Sequence, residues 1–221
     1  MKFRHEYKHQ INLADIFTLK TRLSAVANHD SHCDEDGTYF IKSLYFDNYM
    51  DKALKEKVDG VNKREKFRIR YYGTDTSFIR LEKKSKINGL CNKISTRITA
   101  EECQKIIDGD IEFMLTSESE LLHELYAKMK YQLLRPKCVV AYRRECFVYP
   151  PGNVRVTIDM DICGSNSVKD FLNPDLQFLQ LYHNSILEVK WDEYLPQIIR
   201  DCVQVKSRRT AAFSKYAAVR F

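Results

Sequence analysis

Apolar and polar residues alternate with a period of two along much of the chain, as in strands half buried against a core. The clearest run is Arg64 to Tyr72. Arg64, Lys66, Arg68 and Arg70 fall on one face, and Phe67, Ile69 and Tyr71 on the other. The same alternation predicts strands over residues 2–9, 39–46, 78–84, 90–98, 137–148, 154–162 and 185–191, eight in all with the first. In the seventh, Val154, Val156, Ile158, Met160 and Ile162 oppose Arg155, Thr157, Asp159 and Asp161. Asn88-Gly89 marks a tight hairpin between two of the strands, because both residues tolerate positive φ.

Helical spacing appears between the strands. Ile16, Leu19, Leu23 and Val26 predict a helix from Asn12 to about Asn28, with Asn12 as cap and Asp15 completing an imperfect capping box. Thr99 and Glu102 open a second helix that Gly109 closes. A longer one is expected from Ser117 to Leu133, with Ser117 and Glu120 as its box and Pro136 just beyond. Shorter helical stretches are expected within residues 49–58, 165–173 and 195–203, and residues 206–216 are basic with weak periodicity. Together these elements predict an α+β fold in one domain spanning 1–221.

Composition narrows the class. With 44% hydrophobic residues, five Pro and seven Gly in 221 residues, the chain reads as folded throughout with little linker. Its seven cysteines are odd in number, widely spaced and without a CxxC pair, so they read as reduced core thiols of a cytoplasmic protein. The charged start Met-Lys-Phe-Arg-His-Glu excludes a signal peptide, and no apolar run approaches the roughly 20 residues of a membrane span. Action at a membrane would require a partner to bring the protein there.

Charge changes the picture most. The net charge is only +6, but the polar strand faces hold Arg4, Lys8, Arg64, Lys66, Arg68, Arg70, Arg80, Lys84, Lys93, Arg97, Arg144, Arg155 and Lys190. Against these thirteen cations stand five carboxylates, Glu6, Glu82, Asp159, Asp161 and Glu188. A sheet with one solvated face would mix the signs, whereas a face of one sign points to a polyanionic ligand. Arginine forks suit phosphate oxygens. If the sheet closes, the cations line a lumen and the apolar faces turn outward under the helices. A barrel of about eight strands can hold one elongated ligand. Carboxylates within it would pair with the cations or hold a divalent metal.

The order of motifs along the chain resembles the catalytic domain of the vacuolar transporter chaperone polyphosphate polymerases, a branch of the triphosphate tunnel metalloenzymes, over nearly the whole length. Arg4-x-Glu6-x-Lys8 resembles the Glu-x-Glu-x-Lys opening strand, with Arg in place of the first Glu. Ser43-Leu44-Tyr45-Phe46-Asp47 resembles the second strand. Lys66-x-Arg68-x-Arg70 is similar to the pair of substrate-binding arginines. Glu82-Lys83-Lys84 and Lys93 resemble the next two tunnel lysines, and Tyr142-x-Arg144 and Arg155 the later tyrosine and arginines. Leu187-Glu188-Val189-Lys190 resembles the strand carrying the metal glutamate, and Phe213-Ser214-Lys215-Tyr216 the closing signature. Ala212 stands where eukaryotic members have a second lysine, a role that Lys206 or Arg208 would have to fill.

The resemblance implies an antiparallel eight-stranded β-barrel tunnel with helices packed outside. Its implied activity is transfer of the terminal phosphate of ATP to inorganic polyphosphate, with Mn2+ or Mg2+. Lys8, Arg68, Arg70, Lys84 and Lys93 are then the catalytic cations. Tyr142, Arg144, Arg155, Lys190 and Lys215 bind substrate, and Glu188 with Glu6 holds the metal. Arg4 in place of a carboxylate favours synthesis over triphosphate hydrolysis. No phosphate-sensing or transmembrane domain is expected, so product export would rest on a membrane-protein partner. The rival classes are a metal-dependent tri- or polyphosphate hydrolase and a non-enzymatic polyanion-binding barrel. Nucleic acid is not expected, because the aromatics of the Arg64–Tyr72 strand point away from its cations.

Overall fold

A computed structural model of the chain describes residues 4–205 and 213–220. In chain order the strands are β1 (His5–Ile11), β2 (Asn28–His29), β3 (Thr38–Asp47), β4 (Arg64–Tyr72), β5 (Asp75–Ile87), β6 (Leu90–Ile98), β7 (Arg135–Tyr149), β8 (Val154–Ser165) and β9 (Ser185–Trp191). The helices are α1 (Leu13–Ser24), α2 (Lys52–Val58), α3 (Ala100–Asp108), α4 (Glu120–Tyr131), α5 (Gln197–Cys202) and α6 (Lys215–Ala218). The long strands form one antiparallel sheet in the order β1-β9-β8-β7-β3-β4-β5-β6, with the two-residue β2 added beside β7. The sheet curls until its edges meet, where the Arg4 amide donates to the Cys91 carbonyl at 3.4 Å. All eight expected strands are present.

The outward faces carry two apolar cores. One joins Leu44, Phe67, Ile69, Tyr71, Leu81 and Ile98 of β3–β6 to Cys103 and Ile106 of α3 and Leu122, Leu125 and Met129 of α4. The other joins Val156, Ile158, Leu187 and Val189 of β8 and β9 to Ile16, Leu19 and Leu23 of α1 and Ile199 of α5. Burying each large aliphatic side chain contributes roughly 1.5–3 kcal/mol, which is what holds the helices outside. The alternation of the strands therefore sends their charges inward.

A third apolar cluster lies at one end of the concave side. It joins Ile41, Tyr45, Val140, Tyr142, Ile162 and Ile186 of the sheet to Leu54 of α2 and Tyr216 and Val219 of α6. Gly164 makes this packing possible: a Cβ there would sit 2.9 Å from the Cβ of Val219. The Tyr216 hydroxyl donates to Asp47 at 2.8 Å. The same Asp47 carboxylate accepts from the backbone of Ala53 and Leu54 at the start of α2, at 2.9 and 3.1 Å. One buried acid thus ties β3, α2 and α6 together.

Local details confirm some expectations and correct others. The Asn88-Gly89 turn has φ of 50° and 80°, as a two-residue hairpin requires. The α1 capping box between Asn12 and Asp15 is complete, but the helix stops at Ser24, and Asn28 begins β2. The α3 box and its Gly109 cap form as expected. The expected helix from Ser117 starts later, at Glu120; the Ser117 hydroxyl instead accepts from the Ser119 amide at 3.1 Å. A 3-10 turn at Glu112–Thr116 precedes it. In β8 a register irregularity opposite Ala141–Arg143 puts Asp161 at φ 53° and exposes it. Ile162 then turns to the concave side, so the alternation expected across Val154–Ile162 breaks at its last two residues. The seven cysteines are free, and Cys103, Cys138 and Cys146 are buried.

Candidate functional site: a charged inner wall

Cross-strand register sets the inner wall. Lys84 of β5 faces Lys66 on β4 and Lys93 on β6, and Glu82 faces Arg68. Across the barrel, Lys8 faces Glu188 and Glu6 faces Lys190 where β1 meets β9. Arg144 on β7 faces Asp159 on β8. Strands far apart in sequence therefore bring Glu6, Lys8, Arg68, Arg70, Lys84, Lys93, Tyr142, Arg144, Glu188, Lys190 and Lys215 to one wall.

These cations divide by their partners. Arg68 forks onto Glu82, with Nε and Nη2 at 2.7 and 2.5 Å from Oε2, and donates from Nη1 to the Tyr45 hydroxyl at 3.0 Å. Lys93 reaches the other Glu82 oxygen at 3.2 Å from a half-exposed position. Arg68 thus has a carboxylate partner from the neighbouring strand. Arg144 forks onto Asp159 at 2.5 and 2.8 Å, and the Lys215 ammonium donates to the same carboxylate. Burial would raise the Asp159 pKa, but Arg144 and Lys215 outweigh it and hold the group down at about 2. Lys8 lies 2.8 Å from Glu6 and 3.7 Å from Glu188, and Lys190 pairs with both acids.

Arg70 differs. It is 6% exposed, and it donates to two hydroxyls, Ser43 at 3.2 Å and Tyr142 at 2.8 Å. Among the described residues no carboxylate lies within ion-pair distance of Arg70, Lys66 or Lys84. Burial, with Arg68 and Lys190 adding, pushes the Lys84 ammonium well below its usual range. Lys66 sits over the Tyr45 ring at 5.4 Å; burial, with Lys8 and Arg68 adding, lowers it to about 8. Tyr45 is buried, which alone would raise its pKa, but Arg68, Lys66 and Arg70 prevail and bring it to about 7. In this partly buried region the cations outnumber the nearby carboxylates.

Other expected residues lie apart. Arg155 points to the inner side near the opposite rim, where it pairs with Asp30 at 2.6 Å and donates to the Tyr39 hydroxyl at 3.1 Å. Arg80 and Arg97 both sit over the Phe78 ring, at 4.6 and 5.5 Å. Arg4 pairs with Asp192 at 2.8 Å. Lys206, Arg208 and Ala212 fall outside the described residues. Sequence reasoning missed the tyrosines: Tyr39, Tyr45 and Tyr216 line the inner side with Tyr142, and Tyr45 stacks on Tyr216 at 5.3 Å. The alternation of Ser43, Tyr45 and Asp47 held that signal.

The two expected metal ligands, Glu6 and Glu188, are neighbours close enough for each carboxylate to disfavour the charge of the other. Among the described residues no group of three or more His, Cys, Asp or Glu side chains gathers for a metal. Two adjacent carboxylates nevertheless suit a hard divalent ion that takes its other ligands from phosphate and water. Binding one there would release Lys8 and Lys190 toward the anion.

The chain is thus an antiparallel barrel of the tunnel type, with helices outside and a cation-rich inner wall. The chain belongs to the VTC domain family, which matches residues 3–220. No curated protein matches it in sequence. Among solved structures it is similar to PH1012 from Pyrococcus horikoshii OT3, at 13% identity, TM-score 0.54, and coverage of 98% of this chain and 99% of that one. It is also similar to a Bacillus halodurans protein described as a "putative adenylate cyclase", at 13% identity, TM-score 0.51, and coverage of 86% and 80%. At this identity the likeness concerns the fold.

Proposed function

We propose that this chain transfers the terminal phosphate of ATP to a growing inorganic polyphosphate held along the inner wall. The observation that carries this reading is Arg70: a buried guanidinium whose hydrogen-bond partners among the described residues are two hydroxyls, beside two lysines with no carboxylate within ion-pair distance there. A buried charge without a counter-charge is costly, and a run of phosphates supplies the missing anions at successive positions. Membership of the VTC domain family supports the same substrate class.

In this reading Arg70, Lys66 and Lys84 grip the phosphates around the reacting group. Tyr142, which accepts from Arg70, turns its own proton toward a phosphate oxygen. A terminal oxygen of the polymer forms the new bond to the γ-phosphorus as the bond to the β–γ bridging oxygen breaks, and ADP leaves. Such transfer needs positioning and charge neutralisation more than a covalent intermediate. Glu6 and Glu188 would hold Mn2+ or Mg2+, which would supply positive charge to offset that of the phosphates. Lys8 and Lys190 turn from these acids to the chain, and Arg68, Lys93, Arg144, Arg155 and Lys215 extend the cationic wall.

Incubating the purified protein with ATP and Mn2+ tests this. The expected result is a ladder of long polyphosphate with one ADP released per phosphate added. Free phosphate alone would make the protein a hydrolase, and no turnover with retained polyphosphate binding would make it a non-enzymatic binder. No helix among the described residues is long and apolar enough to cross a membrane.

A further inference from the structure

The two sides of the barrel end that carries α6 are unlike. On the β7–β9 side, Tyr216 and Val219 fill the concave surface against Val140, Ile162 and Ile186. On the β4–β6 side a cavity of about 680 Å³ remains open. Its cationic lining is Lys57 of α2, Arg64 at the start of β4 and Lys86 near the end of β5, with Phe213 and Ser214 on the opposite wall. Among the described residues no Asp or Glu lines it. The cations are close enough to act on one another: burial lowers the Lys57 pKa, and Arg64, Lys8 and Lys86 lower it further.

The cavity continues the inner wall. Arg64 shares a strand face with Lys66, Arg68 and Arg70, and Lys86 shares one with Lys84 and Glu82. Gly60 and Gly89 keep the rim low, and Asn62 donates to Asn88 at 2.6 Å, tying the α2–β4 connection to the β5–β6 hairpin tip. A rigid basic opening of this kind attracts an extended anion as it leaves the enclosed wall.

From these observations we infer that Lys57, Arg64 and Lys86 form a separate polyanion subsite at this mouth, which engages polyphosphate longer than the inner wall holds and so sets the end by which the polymer emerges. The inference rests on the proposed substrate class and adds to it a binding site and a direction. The short anion stays on the inner wall and never reaches the mouth. The long one occupies both, so its affinity has a contribution that inorganic triphosphate lacks.

The test compares the Kd of inorganic triphosphate with that of long-chain polyphosphate for the full chain and for Lys57→Ala, Lys86→Ala and the double variant. Both side chains are partly exposed, so the variants are expected to fold, which thermal unfolding checks. The double variant should raise the long-chain Kd about tenfold, as for the loss of a few partly exposed ion pairs, and move the triphosphate Kd by less than about twofold. Charge reversal at Lys86→Glu should enlarge the gap. Equal losses for both ligands, or none for the long chain, would overturn the mouth subsite while leaving the inner wall intact. Failure of the unaltered protein to bind either anion would instead overturn the proposed function. Tighter binding of a single-stranded RNA than of long-chain polyphosphate at the same mouth would overturn the assignment of its ligand.

Discussion

The β7–β8 wall and the β3–β5 wall carry the same kinds of side chain in the same orientation, yet they differ in how fully their cations are matched by carboxylates. On the first, Arg144 and Lys215 share Asp159, which is fully buried. On the second, Arg68 and Lys93 share Glu82, while Arg70 rests on two hydroxyls, Lys66 on a tyrosine ring, and among the described residues neither they nor Lys84 have a carboxylate within ion-pair distance. Facing inward therefore does not by itself make a cation a ligand-binding group. What decides it is whether the neighbouring strand offers a carboxylate at the same level. The first wall has its charge already matched, and the second is where an incoming anion would gain most.

Arg70→Ala should show the largest effect. It removes the cation with no carboxylate to lose, so triphosphate binding should weaken at least about a hundredfold, while unfolding free energy moves by about 1 kcal/mol. Calorimetric titration and urea unfolding separate the two. Asp159→Asn should do the reverse. It strands two buried cations, so stability should fall by about 3–5 kcal/mol, with saturating polyphosphate restoring part of the melting temperature. If Asp159→Asn left stability unchanged, the distinction between the walls would be lost.

Glu188→Gln should abolish the dependence of turnover on Mn2+ while triphosphate binding without metal survives; an unaltered Mn2+ titration would place the ligand elsewhere. The smallest effect is with pH. Lys66 and Tyr45, at about 8 and about 7, both lose a proton as pH rises, so the wall becomes less positive. Anion binding should be strongest below these values and weaken roughly tenfold between pH 7 and 9. Lys66→Arg should remove most of that slope, and Tyr45→Phe the part nearest neutrality.

Much of this architecture was legible in the sequence because period-two alternation is fixed by the pleat. Phe67, Ile69 and Tyr71 had to be buried outward, so Arg68 and Arg70 had to face in. The motif order then placed Lys8, Lys84, Arg144 and Lys215 on one wall. Pairing was not legible: no local pattern reveals that Glu82 sits across from Arg68, whereas Arg70 opposes Arg80 in register and meets Tyr142 from β7. Asp161 and Ile162 were misplaced because one irregular residue reverses every side chain after it. Tyr45 was overlooked because an aromatic ring on a polar strand face reads as core, and Tyr216 because it lies in the short helix α6, although each ring is buried and its hydroxyl meets a charged group.

The most direct measurement is a structure of the protein with inorganic triphosphate bound. Phosphate oxygens are expected within hydrogen-bond distance of the Arg70 guanidinium and the Lys84 ammonium, with the Arg144–Asp159 fork undisturbed. An anion seated on the outer surface, or Arg70 still held only by Ser43 and Tyr142 with the ligand bound elsewhere, would contradict the central claim.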